Sequence, residues 1–238
     1  MTDALAGELD IKREFQDLAY MIVHHLKEPV RAIRTAAEVL LDPDPEADRE
    51  TESGLSSVAS CADRILRGAT RLDDIAASIA QYADDVGNED EALEEASTEA
   101  VLRTVRQKLQ GMIEQTGATV TNSALPKLRC QPTRFSRLLE QLLRNAILYH
   151  RGRAPAVHIA AEEHSDVWLF SIRDNGMGMP AADLERIFDP FSRLSTKGYK
   201  GLGMGLTTAR RIVSHHGGRI WVESAVDVGS TVFFTLPK

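Results

Sequence analysis

"DDVGNEDEALEEAS", residues 84–97, separates two regions with different hydrophobic periods. Half of its side chains are carboxylates and none is basic, so the run repels itself and has no apolar face to bury. It reads as a boundary. The sequence therefore predicts a helical domain over 1–86, a linker over 87–97 and a second domain over 98–238.

Upstream of the boundary the period is helical. Ile11, Phe15, Leu18, Ile22, Leu26, Ile33, Ala37 and Leu40 recur at spacings of three, four or seven, which places them on one face of a long helix. "DPDPEADRE" stops that helix, because Pro43 and Pro45 cannot continue it. A second run keeps a seven-residue beat through Leu55, Val58, Ala62, Ile65, Ala69, Leu72, Ala76 and Ile79. Two long helices joined by a short turn form an antiparallel hairpin with one apolar stripe each. Doubling the hairpin into a four-helix bundle buries both stripes, so a homodimer is expected.

Downstream the pattern is α+β. A helix is predicted over 98–115, short strands at "ATVTN" (118–122) and "KLRC" (127–130), and a helix over 132–150 with Pro132 near its start. "AVHIAAEEHSDVWLFSIRDNG" holds two strands. A short helix at 181–187, a helix stopped by Gly217 and Gly218, and a closing hairpin complete the chain.

Composition narrows the function classes. The formal net charge of -7 offers no basic footprint for nucleic acid. No apolar run approaches the roughly 18–20 residues that cross a bilayer, and the N-terminus lacks a basic-then-apolar leader. Cys61 and Cys130 have neither metal nor redox spacing and read as structural thiols in a reducing, cytoplasmic setting.

Candidate chemistry begins with two adjacent histidines in "MIVHHLKEPVRAI" (21–33). On a helical wheel His24 lies about 200° from Ile22 and His25 about 60° from it. His24 points away from the apolar stripe; His25 borders it. A neutral imidazole nitrogen is available as a nucleophile near neutral pH. In the second region, "DNGMGM" (174–179) follows a strand and sets an acidic acceptor beside unobstructed backbone, suited to a planar ring bearing an amino group. "KGYKGLGMGL" (197–206) is a glycine-rich loop opening onto a helix, where backbone amides can approach phosphate. Asn145 stands within the 132–150 helix, where asparagine is mildly unfavourable, and its amide oxygen is a candidate Mg²⁺ ligand alongside phosphates and water.

In this order the four features resemble a bacterial sensor histidine kinase, over nearly everything from about residue 10 to 238. "HHLKEPVRAI" is similar to the phosphoacceptor box, in which the histidine precedes a proline by five residues; that register selects His24 with Pro29. "LLRNAILYH" resembles the Asn box and implies Mg²⁺ coordination by Asn145, with Tyr149 beside it. "DNGMGM" resembles the first glycine box, implying adenine recognition by Asp174 beside Gly176 and Gly178. "IFDPFSRL" matches the Phe box with Phe188 and Phe191. "GLGMGL" matches the second glycine box, Gly201, Gly203, Gly205 and Leu206, reached through a lid over 192–200 whose Lys197 and Lys200 are candidate phosphate contacts. The resemblance implies a dimeric histidine-phosphotransfer bundle followed by an α+β two-layer sandwich ATP-binding domain, as in gyrase, Hsp90 and MutL. It implies ATP-dependent autophosphorylation of His24, then transfer to an aspartate of a response regulator.

Three positions depart from the family pattern. The residue after the phosphoacceptor is usually Asp or Glu; here it is His25, and Glu28, at i,i+4 from His24, is the nearest compensating carboxylate. A basic residue usually precedes the Asn-box tyrosine; here it is Leu148, with His150 and Arg151 nearby. Gln141 replaces an Asn one turn before Asn145. Glu28 also stands where many relatives carry the Thr or Asn used in dephosphorylation, so strong phosphatase activity is not expected. Two other readings stay open. One is a hydrolytic ATPase of the same superfamily, which would need a Glu base where Gln141 stands. The other is a nucleotide-binding dimeric scaffold with weak or no kinase activity, which docks a signalling partner.

Overall fold

The computed structural model describes residues 2–41, 52–87, 92–190, 192 and 203–238. The turn expected after Leu41 and four of the predicted site residues, Phe191, Lys197, Lys200 and Gly201, lie outside the described residues, as does most of the expected lid. The chain divides into two compact units, Met1–Gln81 and Tyr82–Lys238.

The first unit is built from α1 (Thr2–Leu41) and α2 (Glu52–Gly87), 40 and 36 residues long. Pro29 lies inside α1, where it cannot supply the usual N–H to the carbonyl four residues earlier. The shielded line along α1 runs through Ile22, Leu26, Pro29, Ile33, Ala36 and Leu40, close to the predicted stripe. On α2 the register differs from expectation. The buried residues are Cys61, Gly68 and Ile75, while Val58, Ala62, Ala69 and Ala76 of the predicted stripe are exposed. The cause is a close helix contact. A Cβ on Gly68 would stand 2.5 Å from Ile33 Cγ1 and 3.2 Å from the Pro29 carbonyl oxygen, so α1 leans on the Gly68 edge of α2. Ile65, Leu72 and Ile79 of the predicted stripe are half-buried, in line with expectation.

The second unit is α+β. Its main sheet has the order β2-β4-β5-β7-β6, from β2 (Thr119–Asn122), β4 (Ala156–Glu163), β5 (Val167–Asp174), β7 (Gly229–Pro237) and β6 (Ile220–Ala225). β2 pairs with β4 in parallel and the other neighbours are antiparallel. Helices α5 (Pro132–Leu148) and α6 (Gly205–His215) pack against the sheet, with α3 (Thr98–Lys108) beside α5. The core between helices and sheet is apolar and aromatic: Phe170 stacks on Phe234 at 4.9 Å and meets Phe135 edge-on at 5.8 Å. Each such fully buried side chain contributes roughly 1.5–3 kcal/mol.

Three elements differ from the sequence reading. The single helix expected over 98–115 is broken into α3 and α4 (Gln110–Thr116), and Leu109, at the break, is buried in the core. The stretch expected as linker contains a strand, β1 (Glu94–Ser97), which pairs antiparallel with β3 (Lys127–Cys130), Ala96 opposite Leu128. The short helix expected at 181–187 is a pair of 3₁₀ turns, Ala181–Asp183 and Arg186–Phe188.

Candidate functional site

α5 sets the first wall of the site. Its sequence turns Phe135, Leu138, Leu139, Leu142, Leu143, Ala146 and Ile147 into the core, which is the reason the helix forms and docks. Asn145 is carried on the border of that face and is half-buried. Its side chain makes no hydrogen bond among the described residues; its carbonyl accepts the Tyr149 N–H at 3.1 Å. An uncommitted amide at the edge of an apolar wall suits a hard-cation ligand that acts together with phosphate and water.

Asn145, Tyr149, Asp174, Gly178 and Leu206 line one cavity of about 110 Å³, closed by Leu142, Ala146, Ile172, Met177, Met179, Ile187, Ser192, Ser230 and Val232. Five of the predicted site residues thus share one chamber. Ile172 and Val232 meet there because they are cross-strand partners on β5 and β7. The apolar walls with few polar groups match a slot for a flat aromatic ring.

Asp174 is the acid of that slot. Its Oδ1 accepts the Gly176 N–H at 2.8 Å and the Ser230 N–H at 3.1 Å. Oδ2 has no hydrogen bond among the described residues and is open to a donor such as an exocyclic amine. Burial pushes the Asp174 carboxyl above its usual 3.8, partly offset by the two backbone N–H bonds. A donor on Oδ2 would favour the ionised form. These features fit the base of a nucleotide.

The first glycine box is also packed closely against its surroundings. A Cβ on Gly176 would stand 2.4 Å from the Tyr149 carbonyl oxygen and one on Gly178 1.8 Å from the Ala225 carbonyl oxygen. Gly178 also has φ +63°, which favours glycine. These glycines let the strand end pack against α5 and the β6–β7 turn, and Gly178 lines the cavity as well. Asn175 adds a second fastening, accepting the Ala156 N–H at 2.7 Å and donating to the Ala154 carbonyl at 3.1 Å.

The second glycine box approaches from the other side. A Cβ on Gly205 would lie 2.7 Å from Gln141 Oε1 and 3.8 Å from Asn145 Nδ2, so the first residue of α6 sits against the Asn145 face of α5. Gly203 has φ +76° just before that helix. Phe188 is buried beneath, and its carbonyl accepts the Thr207 hydroxyl at 3.1 Å.

The histidines stand in the other unit. His24 is exposed and His25 half-buried, their rings edge to face at 5.7 Å; Glu28 is exposed. The sequence reading missed Ser230, Met177, Met179, Ile187 and Val232. Ser230 acts through its backbone N–H, which carries no side-chain signal, and the others read as ordinary strand or loop hydrophobes.

Residues 130–238 match the family described as histidine kinase-, DNA gyrase B-, and HSP90-like ATPase. Cyanobacterial phytochrome A of Nostoc sp. (strain PCC 7120) is 33% identical over 94% of this chain and 28% of its own length. The adaptive-response sensory kinase SasA of Synechococcus sp. (strain JA-2-3B'a(2-13)) is 30% identical over 97% of this chain and 62% of its own. The solved catalytic domain of histidine kinase ThkA superposes with a TM-score of 0.53 at 27% identity, covering 61% of this chain and 97% of that one. A complex of ThkA with the response regulator TrrA shares the fold over 93% of this chain and 61% of that one, with TM-score 0.61 at 20% identity. The second unit is therefore an ATPase domain of the histidine kinase, gyrase B and HSP90 class. Along nearly all of its length the chain is similar to sensory kinases of this kind, and it spans under a third of the phytochrome it resembles and under two thirds of SasA.

Proposed function

We propose that this chain is the kinase core of a sensor histidine kinase. The observation that supports this most directly is the convergence of Asn145, Asp174, Gly178 and Leu206 on one cavity, with Gly205 against the Asn145 face. In this reading Asp174 Oδ2 accepts the adenine amino group and the apolar walls hold the ring. Asn145 holds Mg²⁺ with the phosphates; the ion supplies charge neutralisation. Gly203 and the first turn of α6 bring backbone N–H groups to the phosphates, with Lys197, Lys200 and Gly201 completing the cradle. Phe188 and Phe191 base the lid.

A ring nitrogen of His24 then forms a bond to the γ-phosphorus as the bond from phosphorus to the β-bridging oxygen breaks and ADP leaves. His25 or Glu28 accepts the ring proton. In the second step a carboxylate oxygen of a receiver aspartate attacks phosphorus and the N–P bond breaks. The exposed remainder of the α2 stripe, Val58, Ala62, Ala69 and Ala76, supports a homodimer in which a second copy covers it. Among the described residues no helix is long and apolar enough to cross a membrane, and a cytoplasmic setting is part of the proposal.

Hydrolysis is disfavoured by the surroundings of Gln141. The adjacent carboxylate, Glu140, is held on another face by Arg144 at 3.0 Å and Lys108 at 3.9 Å. The test is incubation with γ-labelled ATP and Mg²⁺. Acid-labile, alkali-stable label that is lost in His24→Gln is expected. Nucleotide binding with no label would replace the kinase reading with the scaffold.

A further inference from the structure

Thr121 and His158 are cross-strand partners on β2 and β4, and His158 is in turn opposite Arg173 on β5. Their sequence neighbours Val120, Val157 and Ile172 are buried in the core under the helices. Alternation therefore sets Thr121, His158 and Arg173 in one row on the other face of the sheet, away from the nucleotide chamber. All three are exposed, as is Ser123, which stands just beyond the end of β2 on the same face. β2 is the edge strand of the sheet, so this corner is open to a small molecule.

The hydrogen bonds around His158 fix where the protons lie. The Thr121 hydroxyl donates its hydrogen to the Val157 carbonyl at 3.3 Å. Its oxygen is then left to accept from His158 Nδ1, 2.9 Å away. A neutral ring protonated on Nδ1 has a lone pair on Nε2, and Ser123 Oγ lies 3.1 Å from that nitrogen. The Ser123 hydroxyl therefore donates to Nε2. The serine is also held by its backbone: its N–H donates to the Ile159 carbonyl at 2.9 Å, and its carbonyl accepts the Asn122 side-chain amide at 2.9 Å. The next two N–H groups, of Ala124 and Leu125, have no acceptor among the described residues. A serine hydroxyl on one nitrogen of an imidazole, with the other nitrogen oriented by a third group, is the arrangement of an activated nucleophile. Thr121 sets the tautomer but adds no negative charge, so the activation is smaller than that of a triad with a carboxylate.

We infer that Ser123, His158 and Thr121 form a second reactive centre, in which Ser123 takes the acyl group of small carboxylic esters. Ser123 Oγ bonds to the ester carbonyl carbon while its proton passes to His158 Nε2. The bond from that carbon to the alcohol oxygen then breaks, and the alcohol leaves with the proton from Nε2. Water attacks the acyl carbon and gives a proton to Nε2; the bond to Ser123 Oγ breaks, the proton returns to the serine and the acid is released. Ala124 and Leu125 supply N–H groups for the oxyanion. Arg173 has no hydrogen bond or ion pair among the described residues, so its guanidinium is available to a carboxylate on the acyl chain and favours an anionic ester. Ser123 and His158 are the catalytic residues of this centre, and Thr121 is a positioning residue. The reaction uses neither ATP nor His24 and is independent of the kinase reading.

The test follows release of p-nitrophenolate by the full chain from p-nitrophenyl hydrogen adipate and from its uncharged methyl-ester twin, while mass spectrometry locates the acyl group in the quenched protein. The acyl group should sit on Ser123. Ser123→Ala and His158→Gln should each slow release about tenfold or more. Thr121→Val should lower the rate and Thr121→Ser should restore it, with circular dichroism showing both variants folded. The anionic ester should react about threefold faster than its twin, and Arg173→Gln should remove that difference. His164→Gln, which deletes another exposed imidazole, should change nothing. Undiminished release in Ser123→Ala, with the acyl group on His158 or on lysines, would overturn the inference. So would a Thr121→Val rate equal to that of the unmodified chain, or a loss in His164→Gln as large as that in His158→Gln. Equal rates for the two esters would strike Arg173 and the anionic preference from the centre.

Discussion

Ser230 donates its backbone N–H to Asp174 Oδ1 at 3.1 Å across 56 residues of sequence, tying the start of β7 to the end of β5 at the cavity wall. The bond fixes one carboxylate oxygen and leaves the other without a hydrogen bond among the described residues. Asp174→Asn keeps an oxygen for the two backbone donors but removes the charged acceptor. A hydrogen bond to a charged group is worth roughly 1.5–3 kcal/mol, so ATP affinity should fall about 10- to 150-fold by titration calorimetry.

The same residue predicts opposite signs for binding and stability. Burial holds the folded-state carboxyl above its usual 3.8. The folded chain therefore binds this proton more tightly than the unfolded chain does. The associated stability is full below the unfolded value and is lost as pH rises through the folded value. At neutral pH the charge is a net cost, so Asp174→Asn should raise Tm in the nucleotide-free chain. In the unmodified chain ATP affinity should decline as pH drops toward the folded-state pKa, and this slope should be absent in Asp174→Asn. A lower Tm for the variant would contradict the account.

Gly178 and Gly205 should respond differently to the same methyl group. The neighbour of Gly178 is the backbone carbonyl of Ala225, and its φ is positive. Gly178→Ala should cost roughly 2–3 kcal/mol in urea unfolding. The neighbour of Gly205 is the far end of the Gln141 side chain, which can rotate away toward Asn145. Gly205→Ala should leave stability within about 0.5 kcal/mol and weaken Mg²⁺-dependent nucleotide binding instead.

His25 predicts a gain of activity. It is half-buried with its ring edge-on to the exposed His24 at 5.7 Å. A carboxylate in that place accepts a ring proton and adds negative charge. General bases contribute about 100- to 10,000-fold when fully positioned, so even a partly positioned His25→Glu should raise the initial rate of γ-labelling about tenfold or more. An unchanged or slower rate would remove His25 from the proton path.

The helix pair offers a stability test independent of nucleotide. A side chain at Gly68 meets Ile33 and the Pro29 carbonyl. Leucine is a far better helix former than glycine, yet Gly68→Leu should destabilise the hairpin by roughly 1–3 kcal/mol through overpacking. Thermal melting followed by circular dichroism reads the difference.

Much of the second unit was legible because its elements carry their own periodicity. "PTRFSRLLEQLLRNAILYH" predicts α5, with Pro132 at its start, and "VWLFSI" predicts β5. β1 was not legible: of "EEAS" only Ala96 is buried, and the strand exists because Leu128 lies opposite it. Nor was the break at Leu109, where a core position outweighs a continuous helical pattern. Half of the α2 seam, Ile65, Leu72 and Ile79, was legible, while the other half falls on Cys61, Gly68 and Ile75, one residue before the expected alanines, because Gly68 has no hydropathy to announce it. At the site, the motifs marked the residues, but the work done by Gly176 and Gly178 depends on carbonyls of Tyr149 and Ala225 that no local pattern reveals.

Thr207 holds the Phe188 carbonyl at 3.1 Å, and Arg210 reaches Asp189 at 3.6 Å. The chain thus departs for residues 193–202 and returns from them at two points already tied to each other. Those two ties fasten the Arg186–Phe188 turn to α6 without help from the residues between, so substitutions there should leave the spacing of the chamber walls unchanged.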